Sequence, residues 1–238
     1  MSPLDSVADS EFRPALLVVD LQEDFCPPNG ALAVAGGRDV APIINNLLSL
    51  PFSFKVATKD WHPPDHVSFA SNHAPPNNKP FTSFTTQNPL NMSETSEIRL
   101  WPVHCVQGTP GASIIPELDV MKLDHIVEKG QDPRVEMYSA FAAPFENPRV
   151  AQSGLADVLR RERISHVYVS GLAADYCVAA TAVDACREGF QTVIVEEATR
   201  AVDPGEEGLG AAKRKWAEVG IELVGINGEE VEMVRRLG

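Results

Sequence analysis

Residues 15–20 read Ala-Leu-Leu-Val-Val-Asp, five apolar side chains in a row closed by a carboxylate. A strand with one wet face would alternate polar and apolar residues, so an unbroken run predicts a parallel strand buried on both faces. Working outward, Phe54-Lys-Val-Ala-Thr-Lys-Asp60 is a second strand that also ends in Asp. Between the two, Ile43, Ile44, Leu47 and Leu48 fall at helical spacing, with an early Pro42 and a stop at Pro51. Further strands are expected at 124–129, 166–171, 191–196 and 221–225. Helices are expected at about 153–163, about 175–188 closed by Gly189, about 206–218 closed by Gly220, and from about 228. Strands alternating with helices imply βαβ crossovers. The expected fold is α/β: a single doubly wound, mainly parallel six-stranded sheet with helices on both faces. One domain accounts for residues 1–238, interrupted at about 61–111 by a long insertion rich in Pro, Asn, Ser and Thr. Structureless stretches of that length inside a compact domain are usually functional, so the insertion is expected to wall the site.

Composition narrows the function. Twenty Lys and Arg stand against 33 Asp and Glu, a formal charge of −13, and the densest basic run is Lys213-Arg214-Lys215. A nucleic-acid backbone would be repelled, and no apolar run approaches the about 20 residues of a membrane helix. Neither nucleic acid nor membrane is an expected partner. The opening MSPLDSVADSEFRP is acidic and poor in apolar residues, which fits neither a secretory signal nor an Arg-rich transit peptide. A cytoplasmic location is expected, with nuclear or peroxisomal presence also compatible. Cys26, Cys105, Cys177 and Cys186 form no CxxC pair, so reduced thiols are expected.

In open α/β sheets, ligands bind beyond the carboxyl ends of the strands. Here those ends carry Asp20, Asp60 and Lys129, and the fourth strand leads through Gly171 to Cys177. Topology alone brings four reactive side chains to one edge. In Asp60-Trp-His62 the first and third residues of an extended segment face the same side and can grip one ion. His104 would add a third ligand, giving two imidazoles and a carboxylate, a set suited to zinc or iron with positions left open for water or substrate. His66 reads as a further ligand, as a neighbour supporting them or, equally well, as a residue that caps the loop. His73, His125 and His166 lack such context and read as structural.

Cys177 lies where a helix starts after a strand, and the N–H groups there favour an anion. A lowered thiol pKa is therefore expected, with the same N–H groups available to an oxyanion. Cys186, nine residues on, points the opposite way around that helix and is expected to pack. Cys26 and Cys105 read as buried, inert thiols. With no histidine at the thiol, Lys129 would supply positive charge and Asp20 would carry the proton.

These residues sit in VVDLQEDFCPPNGAL, TKDWHPPDHVSF, WPVHCVQGTPGA, VEKG and VSGLAADYCVAATAVDA. In that order the motifs resemble the nicotinamidases of the isochorismatase-like cysteine hydrolases, fungal type, from about residue 14 to about 225. The resemblance implies hydrolysis of nicotinamide to nicotinate and ammonia through a cysteine thioester, in NAD salvage, with pyrazinamide also a substrate. It implies Asp20, Lys129 and Cys177 as the catalytic trio, and Asp60, His62 and His104 as ligands of a divalent metal, usually zinc. It further implies a cis peptide at Leu172–Ala173, with the N–H groups of Ala173 and Cys177 as the oxyanion hole. Phe25, Trp101 and Tyr138 would line the substrate pocket together with Ala173. The stretch from about 74 to 98 is the least bound to a family template.

Rival readings are a related amidase or isochorismatase-type hydrolase acting on another small substrate, and a catalytically silent member that only binds a ligand or partner. A purely structural zinc module is disfavoured, because such sites usually have four protein ligands. Oligomeric state is not fixed by the sequence; a homo-oligomer is compatible with it.

Overall fold

The computed structural model describes residues 12–238. Most of the acidic opening segment read above therefore lies outside the described residues. The chain forms β1 (Pro14–Val19), α1 (Ala41–Leu48), β2 (Phe54–Asp60), β3 (Ser83–Asn88), β4 (Asn91–Arg99) and β5 (His125–Lys129). It continues through α2 (Leu155–Arg161), β6 (His166–Leu172), α3 (Ala179–Arg187), β7 (Gln191–Arg200), α4 (Ala211–Glu218), β8 (Glu222–Val224) and α5 (Glu229–Arg235). Six strands make one parallel sheet in the order β5-β2-β1-β6-β7-β8. The winding reverses between β1 and β6, which leaves a crevice at their carboxyl ends.

Why β1 sits at the centre follows from its sequence: all six of its residues are buried. Leu16 and Val18 face one layer, where Ile44, Leu47 and Leu48 of α1 and Val231 and Val234 of α5 pack. Ala15, Leu17 and Val19 face the other, with Leu155 and Leu159 of α2, Val183 of α3 and Trp216 of α4. The alternating side-chain directions of one apolar strand thus demand two helical layers. Gly171 has φ +102°, and a Cβ there would lie 2.0 Å from the Val19 carbonyl oxygen, so only glycine lets β6 close on β1 at the crevice.

Residues 61–111 differ from expectation in containing regular structure. β3 and β4 pair as an antiparallel hairpin turning at Pro89–Leu90. The sequence hid it because the hairpin is largely exposed on both faces. Short polar residues fill it, with Thr86, Asn88 and Ile98 its only buried members, so no alternation of apolar residues marks the strands. Its base is held by Ile98 and Leu100 against Ala70, with Val67 and Phe84 around them. The same segment folds back on itself: the His62 N–H donates to the Cys105 carbonyl at 3.1 Å and the Gln107 N–H to the His62 carbonyl at 2.9 Å. Trp101 donates its N–H to the Ser68 carbonyl and accepts one from Ala70.

Candidate active site

The parallel register places Lys129, last residue of β5, beside Asp60, last residue of β2. Asp20 follows β1 directly, with φ 47°, a left-handed backbone that Asp tolerates better than most residues. Cys177 is the fourth residue of a wide helical turn, 174–178, that joins β6 to α3. The peptide bond Leu172–Ala173 is cis, and Ala173 is extended immediately before that turn. All four reactive side chains are buried.

Lys129 is the node. Its Nζ lies 2.9 Å from Asp20 Oδ2, 2.5 Å from Asp60 Oδ1, 3.4 Å from Cys177 Sγ and 3.2 Å from the Met137 carbonyl oxygen. Burial works against its charge, but Asp20, Asp60 and Cys177 overcome it and hold the ammonium far above its ordinary pKa. Thr58 Oγ1 donates to Asp20 Oδ1 at 2.5 Å. Asp20 Oδ2 meets the lysine as an ion pair but accepts no aligned hydrogen bond, so it keeps a lone pair for a proton. Burial raises the Asp20 pKa although Lys129 opposes it. The expected lowering of the Cys177 pKa is overturned: burial drives this thiol well above its usual value, with Lys129 opposing the rise and Asp20 and Asp60 adding to it. A helix start favours a thiolate only where solvent or net positive charge supports it, and here the thiol is 6% exposed.

Asp60, His62 and His104 offer ligand atoms that all lie within 4.8 Å of one another. His62 Nε2 is 3.5 Å and His104 Nε2 is 3.9 Å from Asp60 Oδ2. His62 Nδ1 donates to the Gly130 carbonyl at 2.9 Å, and His104 Nδ1 to the Pro102 carbonyl at 2.8 Å. Each donation leaves the Nε2 lone pair turned toward the carboxylate, the tautomer a metal ligand needs. His62 Nε2 is buried without a hydrogen-bond partner. Burial penalises charge on Asp60, yet Lys129, His62 and His104 keep it ionised. That carboxylate raises His62 against the effect of burial, while burial and His62 push His104 down to about 4. A position where a carboxylate attracts a proton onto an orphaned imidazole nitrogen also attracts a metal cation. Among the described residues, this donor set fits a divalent metal such as zinc.

His66 stacks on His62 with ring centroids 4.0 Å apart, and both its nitrogens are engaged. Nε2 donates to the Val135 carbonyl at 3.1 Å and Nδ1 accepts from Ser68 at 2.7 Å, so it orients His62 rather than offering a lone pair. Burial and His62 depress it to about 2, keeping it neutral.

Phe25, Trp101, Tyr138 and Ala173 line one pocket with Asp60, His104 and Cys177. Phe25 tilts over His104 at 5.5 Å, and Trp101 Nε1 donates to the Tyr138 hydroxyl at 3.1 Å. Cys186 lies away from this pocket, its thiol donating to the Val219 carbonyl at 3.3 Å.

Sequence reasoning missed five contributors. Gln22 brackets Asp60, accepting from its N–H at 2.8 Å while donating to its carbonyl at 2.8 Å. Thr58 precedes Asp60 by two residues and holds Asp20. Gly130 has φ +69°, and a Cβ there would lie 2.5 Å from His62 Cε1, so the Gly of VEKG permits the imidazole to dock. Glu136 is a buried carboxyl group in the pocket lining, its pKa raised by burial. Tyr176, next to the thiol, completes the aromatic wall. For Gln22 and Thr58 the usable signal was i, i+2 spacing from a strand-end aspartate, and for Tyr176 it was adjacency to Cys177; for Gly130 and Glu136 the partner is remote in sequence.

Comparison with known proteins agrees with this geometry. The isochorismatase domain model matches residues 14–219. A nicotinamidase of Acinetobacter baylyi is 40% identical over 205 residues, covering 86% of this chain and 87% of that protein. The yeast nicotinamidase Pnc1p bound to the inhibitor nicotinaldehyde superposes with a TM-score of 0.83 at 31% identity, over 89% of this chain and 99% of its own. A pyrazinamidase of Pyrococcus horikoshii in complex with zinc gives 0.68 at 33% identity, over 90% and 99%. By that match over residues 14–219 and the 40% identity to a relative over most of both chains, this chain belongs to the isochorismatase domain family.

Proposed function

We propose that the protein hydrolyses nicotinamide to nicotinate and ammonia, a step of NAD salvage, and also accepts pyrazinamide. The observation that carries this reading is a pocket lined by Cys177, Asp60 and His104, behind which Lys129 lies within hydrogen-bonding reach of the thiol and of Asp20, and His62 completes a two-histidine, one-carboxylate set. An amide placed there can present its carbonyl carbon to Cys177 and its ring nitrogen to that set.

Because burial keeps the thiol protonated, proton removal accompanies attack. Asp20 takes the thiol proton as Cys177 Sγ bonds to the carboxamide carbon and the carbonyl electron pair moves to oxygen. The main-chain N–H groups of Ala173 and Cys177 are assigned to that oxyanion. Lys129 offsets the negative charge shared by Asp20 and the sulfur. Collapse breaks the C–N bond, and Asp20 returns the proton to the departing nitrogen, giving ammonia and a thioester. Water then gives a proton to Asp20 as its oxygen attacks the thioester; the thiolate leaves and is reprotonated by Asp20, releasing nicotinate. Phe25, Trp101 and Tyr138 hold the ring and exclude bulk water. A divalent metal, zinc by the chemistry of the donors, would be held by Asp60, His62 and His104 and would supply a Lewis-acid position for the pyridine nitrogen.

An ammonia-release assay on the purified, zinc-supplemented protein tests the reading. Turnover of nicotinamide is expected. Absence of ammonia at millimolar substrate, with Cys177 intact by mass spectrometry, would overturn it.

A further inference from the structure

Not all of the pocket's wall is buried. Of its lining residues, only Leu32, Tyr138, Tyr176 and Val202 are partly or largely exposed, so these four form the rim. Tyr138 and Tyr176 come from distant parts of the chain and are both held by Arg99, the last residue of β4. The Arg99 main-chain N–H donates to the Tyr138 hydroxyl at 3.4 Å, and its Nη1 donates to the Tyr176 hydroxyl at 3.2 Å. The guanidinium also lies 5.5 Å from the Trp101 ring centre and 5.8 Å from that of Phe81. Among the described residues it has no ion-pair partner, so phenol and ring faces are what it binds.

The pocket is partly open to solvent on its rim side, and its inner space measures about 30 Å³. That is room for about two water molecules, less than a pyridine ring with its carboxamide needs. A bound ring therefore extends from the inner space to the rim and packs against its residues. Trp101 is the fixed side, pinned through its backbone to Ser68 and Ala70 and through its indole to Tyr138. Tyr176 is the side that adjoins the nucleophile, and its bond to Arg99 is exposed to solvent.

We propose that Arg99 and Tyr176 form a clasp across the pocket mouth, and that this clasp sets the size of ring substituent the enzyme accepts. The proposal rests on the reading above, with the carboxamide at Cys177 and the ring nitrogen toward Asp60, His62 and His104. In that orientation C2 lies between the two anchored positions, and C5, directly across the ring, points out of the pocket toward the rim. A substituent at C5 then competes with the clasp for space. The sequence gives no hint of this role, since Arg99 belongs to a hairpin without apolar pattern.

Two measurements on the wild type, Arg99→Ala and Tyr176→Phe separate the clasp from the substrate reading. The first is kcat/KM for nicotinamide and for 5-methyl- and 5-bromonicotinamide. Both variants should improve the substituted substrates relative to nicotinamide by about fivefold or more. The second is the rate at which Cys177 is labelled by N-phenylmaleimide relative to iodoacetamide, read by mass spectrometry. This ratio should rise by a similar factor and needs no turnover. Arg99 is exposed, so Arg99→Ala should fold normally, while Tyr176→Phe keeps the ring and removes only the hydroxyl. If both ratios stay at their wild-type values in both variants, the clasp is wrong. A labelling ratio that rises in a protein inert toward nicotinamide would uphold the clasp and reject the substrate.

Discussion

Two regions of the molecule build one pocket by different means. The carboxyl edge of the sheet supplies Asp20, Lys129 and Cys177 from strand ends or the turn after one, each buried, with Lys129 paired to Asp60 in the ladder. The segment from 61 to 111 supplies His62, His104 and Trp101 from irregular chain, pinned by a few main-chain bonds between its two arms. Asp60 joins the regions, since it touches Lys129 on one side and both histidines on the other. On the proposed reading the difference teaches a division of labour: groups that would transfer protons and form bonds sit on the rigid scaffold, while His62, His104 and Trp101, which would read the ring, sit on the segment laid over it. Phe25 and Tyr138 close the pocket from elsewhere.

The largest effect should come from the scaffold. Cys177→Ala should lower kcat by about a thousandfold or more, because no other thiol reaches the pocket. Circular dichroism should be unchanged. Residual activity above a few per cent would move the nucleophile elsewhere and dissolve the division. Asp20→Asn should come close to the same loss, since an amide cannot shuttle the proton.

Next in size is a break in the scaffold itself. Gly171→Ala would place a methyl group 2.0 Å from the Val19 carbonyl oxygen at φ +102°. A cost of about 3 kcal/mol or more is expected from strain and strand separation, read as a lower midpoint in urea. A variant as stable as wild type would show that β1 and β6 do not need this close approach.

What could be read from sequence follows the same division. The central strands β1 and β6 are legible because burial on both faces forces continuous apolar runs such as 15–19, and the strand-end acids are legible because topology fixes where they point. The hairpin at 83–99 was not legible, since a motif wet on both faces leaves no hydrophobic period. The trio and the Asp60-His62 pair could be located from position; the pocket aromatics and Ala173 came only through family resemblance. Gly130 and Glu136 escaped because their partners are set by folding rather than spacing, whereas Gln22 and Thr58 sit two residues from a strand-end aspartate and could have been found. Position also misjudged the Cys177 thiol: a helix start is visible in sequence, but the burial and the two carboxylates that outweigh it are not.

On the segment, effects should be smaller and should fall on recognition. His104→Ala is expected to lower kcat/KM for nicotinamide by about tenfold or more while leaving Cys177 open to iodoacetamide. In wild type, pyrazinamide should be hydrolysed and benzamide, which lacks a ring nitrogen, should be poor. His104→Ala, or removal of metal by a chelator, should bring nicotinamide down toward the benzamide level. Equal kcat/KM for the two amides in metal-loaded wild type would mean that the segment does not read the ring nitrogen.

The smallest effect should come from the hairpin tip, and it limits how far the segment's role extends. Leu90 and Met92 are 66% and 64% exposed, and neither lines the pocket. The tip is anchored away from the chemistry: Asn88 Nδ2 donates to the Pro148 carbonyl, Asn91 Nδ2 to the Asn147 carbonyl, and Glu94 accepts from the Glu146 and Asn147 N–H groups. None of those contacts uses the side chain of Leu90 or Met92. Leu90→Ser with Met92→Ser should therefore change stability by less than about 0.5 kcal/mol and kcat/KM by less than about twofold. The hairpin's base is a different matter, because Ile98 packs in a buried cluster and Arg99 reaches the rim. If the double substitution at the tip shifted kcat/KM several-fold with stability unchanged, the hairpin would act on the pocket as one rigid lever, and the boundary between scaffold and recognition segment would have to be drawn at the tip rather than at the base.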